Sequence, residues 1–307
     1  MGCGRWDPAT WSSFASGASA KSRKELYKAN TIDAYLDPKN IAMRESCYSA
    51  LNPQATPLIV GLDLTGSMGM LAEILLKQGL GTTFEETLAR KPIPDPHLMV
   101  LGLGDIRYDR APLQATQFEA DMRITDQIQK IFVEGGGGGN STESYDLAWW
   151  FAATRTKIDC WDKDRRKGFL ITVGDEEPPE SLPRALMNDK IGAGLQADLS
   201  SADALAMALR TYHVLHVVVE EGHHARSAGP DRVAARWAGL LGQNVLRLSD
   251  HTKLAEVIVS AIEVIQGGDV GSVAKSWSGS TAMVVAHALK SLPASRGSAP
   301  GSGLVKL

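Results

Sequence analysis

The chain has little cysteine, and the few cysteines it has show no pairing pattern. Cys3, Cys47 and Cys160 are scattered over 307 residues and are odd in number. Small secreted domains that depend on disulfides carry more cysteines at closer spacings. We therefore expect reduced thiols and a cytoplasmic location.

Long hydrophobic runs are missing as well. No uninterrupted apolar stretch reaches the roughly 18 residues of a membrane-spanning helix. The first residues contain no apolar segment of the kind found in a secretory signal. The sequence therefore predicts neither a membrane span nor a secretory leader, which agrees with the location expected from the cysteines.

An excess of positive charge is absent too. The 32 Lys and Arg residues are balanced by 35 Asp and Glu residues, which gives a formal net charge of −3. Proteins that bind nucleic acid through its phosphates usually carry a basic surface. We therefore do not expect nucleic acid as a partner.

Common catalytic motifs are not found. The chain has no G-K-S/T phosphate loop and no G-x-S-x-G nucleophile elbow. The glycines at 135–139 do not have the spacing of a dinucleotide-binding fingerprint. These absences favour a protein that is not an enzyme.

One stretch stands out, because an apolar run stops abruptly at polar residues. Residues 57–62 (PLIVGL) are typical of a strand buried on both faces of a parallel sheet. Asp63, Thr65 and Ser67 follow in alternation, and Gly66 allows a tight turn between them. Polar residues at the carboxyl end of such a strand lie where α/β sheets bind ligands. One carboxylate with two hydroxyls suits Mg²⁺ or Mn²⁺ and does not suit zinc.

The D-x-T-G-S sequence resembles the metal-ion-dependent adhesion site (MIDAS) of von Willebrand factor A (vWA) domains, which usually reads D-x-S-x-S. The resemblance covers about residues 55–267 of this chain. It implies that Ser67 and Thr65 bind the metal directly and that Asp63 assists, often through water. In the family, a second loop adds a Thr or Asp ligand and a third loop adds an Asp.

Two further loops carry candidates for those remaining ligands. In loop two, GGGGGNSTES, Asn140 or Ser141 stands where the family has Thr, and Thr142 lies just beyond. Loop three usually reads T-D-G, whereas TVGDE here displaces the acidic residue, so Asp175 is the expected ligand and Glu176 the second choice. The resemblance thus implies a site for Mg²⁺, or for Mn²⁺ or Ca²⁺ in its place, made of Asp63, Thr65, Ser67, Asn140 or Ser141, and Asp175.

The resemblance also implies a function, namely a non-enzymatic module for protein–protein interaction. A Mg²⁺ ion with few direct carboxylate ligands accepts an Asp or Glu carboxylate of a partner protein as its last ligand. Intracellular bacterial and phage vWA proteins resemble this layout, and such proteins often act as adaptors to MoxR-type AAA+ ATPases. Two alternatives stay open: a metal-dependent hydrolase or phosphotransferase that uses Asp63 and Asp175, and a ribonucleoprotein component.

Strands alternate with helices along the chain, which predicts a doubly wound, mostly parallel α/β sheet with helices on both faces. Besides 57–62, strands are expected at 97–104, 113–118, 168–173, 214–219 and 244–248, with 113–118 as an edge hairpin partner of 97–104. Helices are expected from Ser67 to a stop at Gly79 and Gly81, around 124–131, from about Thr142, and at 201–211, 230–241, 252–265 and 281–289.

The sequence suggests three segments. Residues 1–55 are expected to form an N-terminal extension that packs on the core through Trp6 and Trp11, because aromatic side chains bury a large area. A mobile tail up to about residue 30 is the alternative. Residues 56–267 form the vWA-like domain. Residues 268–307 form a C-terminal tail that is partly disordered, since its end is rich in Gly, Ser and Pro.

Other polar and aromatic residues have ordinary explanations. We interpret the following as exposed loop charge or solvated loop histidines: Asp105, Arg107, Tyr108, Asp109, Glu176, Glu177, Glu220, Glu221, His223 and His224. We expect the following to be structural residues of the core or its border: His213, His216, Trp149 and Trp150.

Overall fold

The structure, a computed structural model, describes residues 4–134 and 142–293, except for the side chain of Ser67. Two of the predicted metal ligands, Asn140 and Ser141, lie outside the described residues. The same is true of residues 294–307, which contain most of the stretch predicted to be disordered.

The strands, numbered in chain order, are β1 (Arg44–Ser46), β2 (Thr56–Asp63), β3 (Pro96–Leu103), β4 (Leu113–Ala115), β5 (Thr156–Ile158), β6 (Gly168–Gly174), β7 (Ser181–Leu182), β8 (Leu199–Ser200), β9 (Tyr212–Val219) and β10 (Val245–Leu248). Six of them form one sheet in the order β10-β9-β6-β2-β3-β4. All neighbours are parallel except β4, which runs antiparallel to β3 at the edge. The predicted parallel sheet and its antiparallel edge strand are confirmed.

The helices are α1 (Pro8–Ser19), α2 (Arg23–Leu26), α3 (Gly69–Ile74), α4 (Leu80–Arg90), α5 (Arg123–Ile128), α6 (Asp146–Thr154), α7 (Asp159–Asp164), α8 (Arg184–Leu186), α9 (Ser201–Ala208), α10 (His223–Ala228), α11 (Pro230–Leu241), α12 (Leu254–Ile265), α13 (Val270–Lys275) and α14 (Gly279–Ala288). In the part of the chain that the structure describes, none of these helices combines the length and apolarity needed to cross a bilayer.

Strand β2 lies in the middle of the sheet, and all its residues are buried. Leu58, Val60 and Leu62 point into a core formed with α4, α12 and α14, whereas Ile59 points into a second core formed with α6 and α11. A strand covered by helices on both faces needs apolar residues at successive positions, since neither face meets water. This explains why the run at 57–62 shows no alternation.

The helix that follows the first loop is longer than predicted. It runs from α3 through a π-helical turn at Leu75–Gly79 directly into α4. The prediction that Gly79 and Gly81 end it is wrong. A Cβ at Gly81 would lie 1.9 Å from Nε1 of Trp11, so this glycine admits the indole of the N-terminal arm into the groove of the helix.

The helix predicted from about Thr142 begins instead at Asp146. Thr142 forms an isolated parallel bridge with Glu177, which holds the loop beside β6 and delays the helix. Once begun, α6 is buried on all sides from Asp146 to Ala152. Trp149 and Trp150 lie in the core, as expected.

Both terminal segments pack on the first core. Trp6 and Trp11 are buried, as expected, and Trp6 stacks on Phe84 of α4 at 4.3 Å between ring centroids. At the other end, Val285 of α14 and Leu289 are fully buried in the same core as β2. The expected helix at 281–289 is confirmed by α14.

Candidate functional site

The candidate site lies where β2 and β6 end side by side. Asp63 is the last residue of β2, and Asp175 follows the last residue of β6. Because these two strands are parallel neighbours, their carboxyl ends lie at the same edge of the sheet, and the loops that follow them are adjacent. Thr65 and a short 3₁₀ turn at Gly66–Met68 lead from this edge into α3. The structure therefore brings Asp63, Thr65 and Asp175 together as predicted.

Asp63 is buried and held by three hydrogen bonds. Its Oδ1 accepts from the backbone N–H and from the hydroxyl of Thr65, both at 2.8 Å. Its Oδ2 accepts from the hydroxyl of Tyr145 at 3.3 Å. A short polar side chain that bonds the backbone two residues on is a common turn device, and here it fixes the start of the loop.

Glu143 brings a further carboxyl group to the same hydroxyl. Its Oε1 lies 3.1 Å from Oγ1 of Thr65, and the side chain is only 2% exposed. Since a hydroxyl carries one proton, it cannot serve Asp63 and Glu143 at once. The other oxygen of Glu143, Oε2, is buried and has no hydrogen-bond partner among the described residues. A buried carboxyl oxygen in that condition is costly unless something else binds it.

Asp175 is held from the other side of the site. Its Oδ2 accepts from the backbone N–H of His224, at 2.8 Å, in the first turn of α10. A Cβ at Gly222 would lie 2.2 Å from Cβ of Asp175, so only glycine lets this loop approach so closely. Asp175 itself is 3% exposed.

An open cleft of about 250 Å³ lies above these groups. It is lined by Thr65, Gly66, Met68, Asp175, Glu176, His223 and His224. The cleft joins loop one to loop three, so a ligand that enters it reaches the predicted metal ligands from the solvent.

The carboxyl groups at this edge resist ionisation. Burial raises the pKa of Asp63 to about 7 and that of Glu176 to about 8, and the negative charges of neighbouring carboxylates add to both shifts. Burial and the charge of Asp63 raise the pKa of Glu143 to about 10. Burial also raises the pKa of Asp175.

The same carboxyl groups have no lysine or arginine paired to them among the described residues, although the charge of His224 works against the rise in the pKa of Asp175. No Lys or Arg within the described ranges forms an ion pair with Asp63, Glu143, Asp175 or Glu176, although ion pairs are frequent elsewhere on the molecule. When ionised, four acidic groups at one edge repel one another, and a bound cation would stabilise their ionised forms.

The interpretation of Asp105 and Asp109 as exposed loop charge is wrong. Both side chains are buried. Oδ2 of Asp109 accepts from the backbone N–H of Asp105 at 2.6 Å, and this hydrogen bond closes the loop. Arg107 and Tyr108, between them, are exposed as expected, with Tyr108 59% exposed.

Three glutamates expected to be solvated are ion-paired instead. Glu177 lies 3.2 Å from each of two arginines of α11, Arg232 and Arg236. The other two pair with side chains that the fold brings from later elements, Glu220 with Arg247 and His287, and Glu221 with His251. Glu176 is half-buried at the site itself. These partners are far from the glutamates in the sequence, so local patterns could not predict the ion pairs.

The histidines divide into two groups. His216 is fully buried, stacked on Trp237 at 3.5 Å, and burial lowers its pKa well below the usual value, so it is structural as expected. His223 is exposed, whereas His224 is half-buried and its backbone holds Asp175. Both lie in the first turn of α10 and not in a loop, so the expectation of solvent exposure holds for His223 and fails for His224.

Two residues of the site escaped the sequence analysis, Glu143 and Tyr145. Both follow the glycine run of loop two, but the MIDAS pattern points to the oxygen donors of 140–142 instead. The signal was present, since an acidic residue next to a glycine-rich loop is a candidate ligand. The role of Tyr145 had no sequence signal, because its contact with Asp63 spans 82 positions.

A separate group of possible ligands consists of Glu221, Asp250 and His251, whose ligand atoms lie within 4.8 Å of one another. Internal hydrogen bonds account for this group. Glu221 Oε2 lies 2.8 Å from Nδ1 of His251, and Asp250 caps the following turn at Thr252. It therefore has less need of an ion than the site at β2 and β6.

Comparisons with known proteins give this chain neither a family nor a function. No known family and no curated protein matches it. The pilus adhesin SpaC of Lactobacillus rhamnosus GG, in its open conformation, aligns at 8% identity with a TM-score of 0.44, over 72% of this chain and 31% of the adhesin. Another crystal structure of the same adhesin aligns at 8% identity with a TM-score of 0.45, over 73% and 32%. The chain spans about a third of the adhesin's length, and TM-scores at this level support no conclusion about it.

Proposed function

We propose that the chain is a vWA-like module that binds a divalent cation at the ends of β2 and β6 and uses it to dock a partner protein. One observation carries this proposal. Buried Asp63, Glu143 and Asp175 and half-buried Glu176 gather at one edge of the sheet beside an open cleft, with no lysine or arginine paired to them in the described part of the chain.

The donor atoms fit a hard cation. Asp63, Thr65 and Asp175 offer oxygen only, which suits Mg²⁺ and also Mn²⁺ or Ca²⁺. Ser67 and either Asn140 or Ser141 complete the set by the MIDAS pattern, although their side chains lie outside the described residues. We add Glu143, because its Oε2 is buried without a hydrogen-bond partner among the described residues, as is Oε2 of Glu176 at the same site.

Hydrogen bonds from neighbouring groups orient these candidate ligands. Tyr145 and the backbone of Thr65 orient Asp63, and the backbone of His224 orients Asp175. Supporting hydrogen bonds of this kind fix ligand geometry and tune affinity. When bound, the cation supplies a Lewis-acidic point that accepts a carboxylate oxygen from outside the protein.

The size and position of the cleft support a partner that presents one acidic side chain. Its volume of about 250 Å³ admits a single side chain, and its position over Thr65 and Asp175 directs an Asp or Glu carboxylate to the cation. We therefore propose a non-enzymatic role in the cytoplasm, with a protein partner that presents such a residue. An AAA+ ATPase of the MoxR type is the partner that the family resemblance suggests.

Calorimetric titration of MgCl₂, MnCl₂ and CaCl₂ into the metal-free protein tests the cation site. The wild type should bind at least one of the three, and Asp63→Asn and Glu143→Gln should each weaken binding by about tenfold or more, since each removes a buried ligand charge. Asp126→Asn, at an exposed position of α5, is the control and should bind normally. Absence of binding in the wild type would refute the site.

Capture of partners from the native host tests the docking role. The wild type and Asp63→Asn serve as bait, each with Mg²⁺ and with chelator. A partner that is retained only by the wild type with Mg²⁺ supports cation-mediated docking. A partner that remains in all four conditions would contradict it, as would hydrolysis of a generic phosphate ester that Asp63→Asn abolishes.

A further inference from the structure

A second cavity lies at the opposite edge of the sheet, where the strands begin. Thr56 opens β2, Lys167 immediately precedes β6, and His213 lies at the start of β9, so three neighbouring strands contribute to it. Its volume is about 550 Å³. Pockets for small molecules range from about 300 to 1,000 Å³. We call it the basic cavity.

Every charged side chain that lines the basic cavity is cationic. These are Arg165, Arg166 and Lys167, and His213 is the remaining titratable group. Within the described residues, Arg165 and Lys167 have no carboxylate partner, and Arg166 has one, Asp164, at 3.6 Å. That pair is partly exposed and therefore contributes little. Positive charge therefore gathers at this cavity although the chain as a whole has a net charge of −3.

Neutral oxygens fix the guanidinium of Arg166. It donates to the hydroxyl of Thr56 at 3.2 Å, to the hydroxyl of Tyr48 at 2.9 Å and to the carbonyl of Gln54 at 3.3 Å. These acceptors orient the guanidinium before an anion arrives, and Asp164, which also bonds the hydroxyl of Tyr48, offsets its charge in part from 3.6 Å.

The neighbouring cations are also held in place. Lys167 donates to the carbonyl of Leu209 at the end of α9, and the guanidinium of Arg165 lies 5.5 Å from the ring centroid of Trp161. Arg165 adopts a left-handed backbone conformation with φ of 57°, which ends α7 and directs the chain into the cavity wall. The three cations therefore come from one short segment fixed between α7 and β6.

We propose that the basic cavity binds the phosphate or diphosphate group of a small organic molecule. Three adjacent cations match a group that carries two or three negative charges better than a single carboxylate. Pro92, Ile93 and Pro94 form an apolar wall, and Gln54 and Gln266 add amides, so part of the cavity remains for a less polar portion of the ligand. This site does not depend on the cation site, because it lies at the other end of the strands.

Titration of inorganic pyrophosphate into the full chain tests this proposal. The buffer must be free of divalent cations, since pyrophosphate binds them. The test variant is Arg165→Asn with Lys167→Gln, where Asn is chosen because it tolerates the left-handed conformation. The matched control, Lys157→Gln with Lys163→Gln, removes the same charge from two exposed positions outside the cavity. Circular dichroism checks that both variants fold.

The wild type should bind pyrophosphate, the test variant should lose about tenfold or more in affinity, and the control should lose less than about threefold. Equal losses in both variants would show diffuse attraction only and would overturn the proposal. So would absence of binding in the wild type. Tighter binding of a glutamate tetrapeptide than of pyrophosphate would overturn the assignment to phosphate.

Discussion

Buried carboxyl groups distinguish this molecule at the level of single residues. Asp63, Glu143 and Asp146 are at most 2% exposed, and burial raises the pKa of each. Charged groups in such places lower the free energy of unfolding, and proteins usually keep them for function. For Asp63 and Glu143, the proposed function is cation binding. Asp146 lies at the start of α6, where its Oδ2 accepts from the hydroxyl of Ser201 at 2.7 Å.

The raised pKa of Asp146 predicts a dependence of stability on pH. Its folded pKa is about 7, against 3.8 ordinarily. Between these values the folded state keeps the proton and the unfolded state loses it, so the free energy of unfolding falls as pH rises and then levels off above pH 7. Asp146→Asn removes this loss and should be more stable than the wild type at pH 8, by about 1–3 kcal/mol.

Urea unfolding in chelator at several pH values measures the difference. The gain from Asp146→Asn should shrink toward acid pH and disappear below about pH 3, where the aspartate is protonated in both the folded and the unfolded state. Asp126→Asn, at an exposed site, should show no such trend. A gain that is the same at every pH would contradict the assignment.

At the level of elements, the long helix from α3 to α4 connects the N-terminal arm to the candidate site. It begins two residues after Ser67 of the first loop, and its groove at Gly81 receives Trp11. Gly69 has a comparable role, since a Cβ there would lie 2.1 Å from a guanidinium nitrogen of Arg23. Small residues at contact points allow a close approach that side chains would prevent.

Gly81→Ala should therefore destabilise the protein, although alanine favours helices. The added Cβ would lie 1.9 Å from the indole nitrogen of Trp11, and the resulting displacement should cost about 1–3 kcal/mol. Urea unfolding measures this loss, and faster tryptic cleavage at Lys21 and Lys24 would report release of the arm.

Gly239→Ala is the matched control, because Gly239 lies in α11 with open space where its Cβ would be. That substitution should raise the free energy of unfolding by about 0.5–1 kcal/mol through helix propensity. If both glycines responded alike, the contact with Trp11 would have no energetic importance.

The segment after α12 also belongs to the core as far as the structure describes it. Leu289, just after α14, is fully buried, whereas Met283 within α14 is 69% exposed. Leu289→Ala should lower the free energy of unfolding by about 2–5 kcal/mol, the usual range for a buried leucine. Met283→Ala should change it by less than about 0.5 kcal/mol. Chemical unfolding of the full chain compares the two, and equal small effects would mean that α14 is not part of the cooperative core.

At the level of the whole molecule, parallel strands separate opposite charges. The carboxyl ends of β2 and β6 carry the acidic cluster, and the amino ends of β2, β6 and β9 surround the basic cavity. Strand β2 alone, with eight residues at about 3.3 Å each, keeps the two edges well over 20 Å apart. Charges at such a distance are screened in physiological salt.

Binding at the two edges should therefore be independent. A non-chelating probe of the basic cavity, such as a phosphate monoester, should bind with the same affinity, within about twofold, whether or not Mn²⁺ is present. Parallel titrations of the wild type with and without Mn²⁺ measure this. Asp63→Asn is the control for an indirect effect of the ion, and a large change in the wild type alone would show coupling between the edges.

Local patterns in the sequence determined much of this protein. The apolar run before Asp63, the alternation of strands and helices, and the Pro and Gly that begin and end α11 all act over a few residues, so they can be recognised without knowing the fold. The same is true of Asp63, Thr65 and Asp175, because any polar residue that ends a strand of a parallel sheet lies at the ligand-binding edge.

Only the tertiary structure decided the rest, because it depends on partners far apart in the chain. Gly81 lies within a helix and leaves room for the indole of Trp11, which a sequence pattern cannot reveal. Glu177 is not solvated, because Arg232 and Arg236 of α11 form ion pairs with it. Glu143, which adds a further carboxyl group to the site, likewise lies beside a residue 78 positions away, Thr65. Local preference fixes the elements, whereas packing assigns each charged or small residue its environment.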